Sequence, residues 1–221
     1  MGAGFGAFGK IPSAGDFLRI DLPGSVVTPL DGWLQSLLLA GPQRFAEGWD
    51  AAYMSAPIWR FTLSAGLCGP TKVLGVMMPS VDRVGRRFPL TLAAQPGGSA
   101  SAALDHFRAA EVFARLEDVA LETLEDGVSR DMLQARLAGL TLPSVPAAPL
   151  RRVGGALIAA PGGAEELAAG LLATHYAAPS LWSTVLDGTP RLMACDGLPG
   201  EALVDVLFAP DAPSRAEAIP A

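Results

Sequence analysis

The chain predicts an α/β fold in which one sheet is covered by helices on both faces. Two patterns along the sequence carry that reading. Short apolar runs of strand length interleave with longer amphipathic stretches, and Gly or Pro punctuates nearly every boundary between them. The length of 221 residues is enough to bury a substantial core, as one domain or as two small ones.

In order, Gly4–Gly9 is a short apolar run suited to an opening strand, followed by a turn through Pro12, Gly15 and Asp16. A helix is expected after Thr28, with Thr28 as N-cap, Pro29 at the first helical position and Asp31 in the first turn. Its apolar face is Trp33, Leu34, Leu37 and Leu38, and Gly41-Pro42 is expected to break it before Arg44–Met54 resumes. Three strand-like runs follow, Ile58–Ser64, Lys72–Met78 and Phe88–Ala94, the first two joined as a hairpin across Gly66 and Gly69-Pro70. After the linker Gln95–Ser101, one amphipathic helix is expected over Ala102–Asp126, with Val112, Phe113, Leu116, Val119, Ala120 and Leu124 inward. A second helix runs from Arg130 to Ala138 and stops at Gly139. Thr141–Pro149 carries three prolines and is loop. Ala156–Ala160 is a strand, Gly163–Tyr176 a helix, Leu181–Leu186 and Arg191–Cys195 two more strands, and Glu201–Phe208 a short helix. Residues 209–221 are a Pro- and Ala-rich tail expected to be disordered.

Charge narrows the partners. The net charge is −6, and eight acids against three arginines between Asp105 and Asp131 make −5 of it, centred on the predicted acidic helix. Nucleic acid and anionic membranes would meet a repulsive field. A basic protein surface fits that helix better. No run approaches the length of a spanning helix, and Met1–Phe5 lacks a secretory signal. Gly6 also stands where a myristoylation motif needs Ser or Thr, so the cytoplasm is the expected compartment. Cys68 and Cys195 are too few for a disulfide framework or a zinc site and are expected as buried free thiols.

The most informative stretch is Pro79–Leu92, which sets Asp82, Arg83, Gly85, Arg86 and Arg87 between two apolar runs. Three guanidiniums within five residues form a cluster of fork-shaped donors for carboxylates, phosphates or carbonyls. A plainer reading pairs Asp82 with Arg86 or Arg87 and leaves the other charges to water. Gly4, Gly6 and Gly9 imitate a dinucleotide fingerprint, and Gly9-Lys10 a phosphate loop. Both lack the preceding strand and following helix that such loops need, and Ile11 cannot hold Mg²⁺. His106 is expected on the solvated part of the acidic helix and His175 at a helix end, neither beside a nucleophile. No catalytic or metal-ligand spacing is visible. The aromatics Trp33, Trp49, Tyr53, Trp59, Phe61 and Trp182 are expected mostly in the core.

Four blocks together resemble the type VI secretion-associated TagF (ImpM) family. They are Phe8-Gly9-Lys10-Ile11-Pro12-Ser13-Ala14-Gly15-Asp16-Phe17; Tyr53–Phe61 followed by Gly66; the Pro79–Leu92 run; and Pro179-Ser180-Leu181-Trp182 with Gly197-Leu198-Pro199. Ser183 stands where the family often has a second tryptophan. The resemblance implies a single-domain three-layer α/β/α sandwich over residues 1–208, with a mixed, largely antiparallel central sheet. It further implies a cytoplasmic accessory protein, not an enzyme and without cofactor or metal. Family members hold the secretion apparatus off after translation, in some bacteria through a forkhead-associated scaffold protein. Beside it, the residues suggest a polar docking site for a protein partner built from Lys10, Ser13, Asp16, Asp82, Arg83, Arg86 and Arg87. The rival readings are a small phosphate- or nucleotide-handling enzyme using the arginines as a clamp, and a structural subunit of the machine.

Overall fold

The structure, a computed structural model, describes residues 4–142, 144–147 and 149–211. Most of the expected tail, from residue 212 on, lies outside them. The strands are β1 (Gly6–Gly9), β2 (Leu18–Ile20), β3 (Trp59–Leu63), β4 (Val73–Met78), β5 (Leu90–Ala94), β6 (Leu150–Val153), β7 (Ala156–Ala159), β8 (Pro179–Leu186) and β9 (Thr189–Asp196). Seven of them form one sheet in the order β2-β1-β5-β4-β3-β8-β9, while β6 and β7 make a separate two-stranded ribbon. The expected α/β sandwich is met, and its largely antiparallel sheet is antiparallel at each pairing.

The helices are α1 (Gly24–Phe45), α2 (Trp49–Ser55), α3 (Ala102–Arg108), α4 (Ala110–Glu122), α5 (Arg130–Ala138), α6 (Ala164–His175) and α7 (Val204–Phe208). Alternation along each strand divides the interior in two. Val73 and Met77 of β4, with Trp59, Phe61 and Leu63 of β3, pack under α1, α2 and α7. Leu74, Val76 and Met78, with Leu90 and Leu92 of β5, pack under α4 and α5. A smaller cluster joins α3 and α6 over Leu181 of β8. Because both faces are covered, β4 and β5 read as unbroken apolar runs. Burying each such side chain contributes about 1.5–3 kcal/mol.

Two helix expectations are corrected. Thr28-Pro29 does not open a helix and Gly41-Pro42 does not close one, since α1 runs unbroken through both prolines. Each proline removes one intrahelical hydrogen bond. The stripe Val26, Val27, Leu30, Leu34 and Leu37, all buried against the sheet, holds the helix nonetheless. Conversely, the acidic helix is two helices, α3 and α4, broken at Ala109. Ser101 caps α3 by accepting from the Leu104 N–H at 3.2 Å, and Ala102–His106 are then all buried. Leu124, expected inward, lies past the end of α4 and is half exposed. Two short strands, β2 and β6, had no strand signal in the sequence.

Gly41 shows why α1 survives its Gly-Pro pair. A side chain there would collide with the six-membered ring of Trp49, whose indole occupies that space. In an exposed helix Gly→Ala stabilises by up to about 1 kcal/mol. Gly41→Ala is expected to reverse that sign and destabilise by about 1–3 kcal/mol, because it overpacks the Trp49 contact. Gly32→Ala, on the same helix with open space around it, is expected to stabilise. Urea denaturation of both variants checks the pair, and equal behaviour would mean that Trp49 yields freely.

Candidate docking site

The topology brings two loops together at one end of the sheet. β1 lies antiparallel to β5, with Phe8 opposite Thr91, so the end of β1 meets the start of β5. The β1–β2 loop carries Lys10, Ser13, Asp16 and Phe17. The β4–β5 loop carries Asp82, Arg83, Arg86 and Arg87, and is extended past the sheet by a bridge between Val81 and Arg87.

Asp82 organises the second loop and is only 2% exposed. Its Oδ1 accepts the Val84 N–H at 3.1 Å and the Arg86 N–H at 2.9 Å, folding the tip back on itself. Its Oδ2 accepts from Lys10 Nζ at 2.8 Å and Arg86 Nε at 2.6 Å. Burial alone would push this carboxyl up. The donors from Lys10, Arg86 and Val84 together outweigh it and hold the group well below the ordinary carboxylate range. The Gly85 N–H closes the turn onto the Asp82 carbonyl at 2.9 Å, and Gly85 takes the left-handed φ of 84° that suits glycine.

Neighbouring elements fix the rest of the loop. The Arg83 N–H donates to the Ala14 carbonyl at 2.9 Å, and Arg86 Nη2 to the Gly15 carbonyl at 2.6 Å. From α2, the buried Tyr53 hydroxyl donates to the Ser80 carbonyl at 2.8 Å and accepts the Ser80 N–H at 3.1 Å. Burial raises the Tyr53 pKa, so the phenol stays protonated. Asp50, also on α2, pairs with Arg87 at 2.6 Å. Ser13 donates to the Val128 carbonyl at 2.5 Å, tying the β1–β2 loop to the segment before α5.

The seven expected site residues therefore separate. Lys10 and Asp82, expected to touch a partner, are buried and hold the loop from beneath, so that expectation is corrected for both. The plain pairing of Asp82 with Arg86 is present and is completed by Lys10 from the other loop. Ser13, Asp16, Arg83, Arg86 and Arg87 remain at the surface. Among the described residues the Arg83 guanidinium has no hydrogen-bond or ion-pair partner, and it lies over the bare backbone of Gly15. Sequence reasoning missed Tyr53 and Asp50 as braces and Phe17 as part of the rim. The signal for Phe17 was its place at the end of the first block of the family resemblance, directly after Asp16.

Elsewhere, several charges expected on a solvated face are engaged. Arg60 of β3 makes a two-pronged pair with Glu117 of α4 at 2.7 and 2.6 Å. Asp105 pairs with Lys72. His106 is not solvated, being 5% exposed, and its Nδ1 and Nε2 lie 3.1 and 2.9 Å from the hydroxyls of Thr62 and Ser183. Burial, with a lesser contribution from Arg60, lowers its pKa to about 4, so the ring is neutral at pH 7. Ser183, next to Trp182 on β8, thus serves a polar partner. Cys68 is a buried thiol pushed up to about 11 by burial, whereas Cys195 is only half-buried. The glycine-rich start is not a phosphate loop, because Gly6–Gly9 is itself a buried strand paired on both edges. Among the described residues, no group of three His, Cys, Asp or Glu is placed to hold a metal, and no helix is long and apolar enough to cross a membrane.

These features define an antiparallel α/β/α sandwich with two hairpin loops stitched together at one end of its sheet. The family model of the TagF N-terminal domain, type VI secretion system-associated, matches residues 6–140, and the chain belongs to that family. The crystal structure of PA0076 from Pseudomonas aeruginosa PAO1 is similar throughout, with a TM-score of 0.77 and 30% sequence identity. The match covers 98% of this chain and 97% of that one. No curated protein matches the chain.

Proposed function

We propose that this type VI secretion-associated protein acts by binding a protein partner, without chemistry of its own, through the rim of the β4–β5 loop. One observation carries the reading. The buried Lys10–Asp82 pair, joined by Arg86 from the surface, fixes the loop, yet leaves the Arg83 guanidinium exposed and, among the described residues, unpaired. With the Arg83 backbone already fixed by the Ala14 carbonyl, only its side chain is left to order on docking, which favours affinity. The likeness to the family supports a regulatory reading, in which occupancy of a partner in the cytoplasm keeps the apparatus from assembling, with a forkhead-associated scaffold protein as the first candidate.

The test uses that scaffold protein, purified and immobilised, with this chain in solution. Arg83→Glu is expected to weaken binding at least about tenfold and to flatten its dependence on salt. Its melting temperature should stay within about 2 °C of the parent, since Arg83 makes no side-chain bond to lose. Binding equal to the parent would remove the arginine rim from the reading.

A further inference from the structure

We infer that the rim carries an aromatic anchor, Phe17, and that it receives a short segment of a protein partner in which an apolar side chain sits beside a single carboxylate. The inference rests on the docking reading above and names the chemistry of its occupant.

Phe17 is 55% exposed, and Val84 at the tip of the β4–β5 loop is 70% exposed. Isolated apolar residues on a surface need no explanation. These two belong to loops that are stitched together. The Lys10 ammonium lies 5.0 Å from the Phe17 ring centroid and 2.8 Å from the Asp82 carboxylate, so one buried cation ties the ring to the arginine loop. The ring also rests edge-on against Phe88 at 4.8 Å and stacks on Phe8 at 6.1 Å, both of them buried. One face of Phe17 is therefore braced by the core while the rest stays in water. A braced, half-exposed ring beside an arginine is the composition of an interface hot spot, where large area is gained at small entropic cost.

Charge defines the occupant further. Among the described residues, Arg83 is the guanidinium of this loop with no partner to give up, so it can take a carboxylate without breaking an internal bond there. Arg86 and Arg87 already serve Asp82 and Asp50. Asp16 is exposed and precedes Phe17 directly, so a segment acidic throughout would meet it unfavourably. The fit is one acid for Arg83 next to an aliphatic or aromatic residue for Phe17 and Val84.

The experiment pans a random 12-residue phage-displayed peptide library on the full-length chain. The best enriched peptide is then measured by fluorescence anisotropy. Enriched peptides are expected to pair Asp or Glu with Leu, Phe or Trp. Phe17→Ala should weaken the best one by roughly 30-fold, Phe17→Leu by much less, and Arg83→Glu strongly. Val84→Asp, at an exposed tip with no packing role, should also weaken it with an unchanged melting curve, which guards against a fold defect in Phe17→Ala. Peptides that need Arg83 but ignore Phe17 and Val84 would overturn the anchor and leave the docking reading standing. Enrichment of basic peptides, or of peptides indifferent to Arg83, would overturn both.

Discussion

Asp82→Asn is expected to lower the melting temperature by roughly 10 °C, a large effect for a residue in a surface loop. Asparagine keeps the shape and can still accept the two backbone N–H groups. It removes the charge that neutralises Lys10, which is 5% exposed and has no second carboxylate among its hydrogen-bond partners. An ammonium left buried without a counter-charge is far costlier than the intact pair is favourable. Lys10→Met should be milder, since Arg86 still serves the carboxylate, and the double variant should recover part of the loss. Differential scanning calorimetry of the four proteins closes the cycle. Four near-identical transitions, parent included, would show that the pair is not what holds the loop.

The pH dependence of this group follows from its direction. Its folded pKa is depressed, so its contribution is full above the unfolded carboxylate value of about 4 and is lost as pH falls below that.

His106 is expected to produce an earlier loss, between pH 6.5 and about 4. Its ring ionises near 6.5 when unfolded and only near 4 when folded. A histidine with a depressed folded pKa lends stability above the unfolded value. That stability drains away as acid protonates the unfolded chain first. The difference corresponds to about 3 kcal/mol, lost across that window. Thr62 and Ser183 offer hydroxyl oxygens that could accept from a protonated ring, so the penalty comes from burial and from Arg60, not from lost partners. Asp105 acts in the opposite sense. Burial raises its pKa, so acid that protonates it favours the folded state and offsets some of the loss. Urea midpoints from pH 7.5 to 4 measure the profile. His106→Gln, which keeps polar contact with both hydroxyls but cannot titrate, should flatten it. A parent profile with no slope above pH 4.5 would mean that the ring is hydrated or already charged.

Arg83→Glu and Phe17→Ala address the surface, whereas Asp82→Asn and His106→Gln address the support beneath it. The distinction matters because only a surface variant can lose its partner while keeping its melting curve.

The apolar runs Val73–Met78 and Phe88–Ala94 declared their strands, since a strand buried on both faces reads as a short, nearly continuous apolar stretch bounded by turn residues. Arg130–Ala138, with Ser129 ahead and Gly139 behind, declared its helix by its caps. The arginine loop stood out because charge between two strands has nowhere to go but the sheet's end. Local rules failed where long-range packing outweighed them. Pro29 and Pro42 break helices in isolation, but here the buried stripe of α1 carries the chain through. Ala109 forms helices in isolation, yet the helix breaks there, with Ala103 and Leu104 of α3 packed beside Ala169 of α6.

The amino-acid order alone determined the class of fold, the strands of the core and the stretch where the charges gather. Only the folded sheet decided which of those charges remain available. Lys10 and Asp82 are 72 positions apart, and nothing local to either announces the other. They meet because β1 lies beside β5, and once they meet, desolvation forces each to neutralise the other. Arg83 is left over by the same geometry, its guanidinium without a carboxylate partner among the described residues.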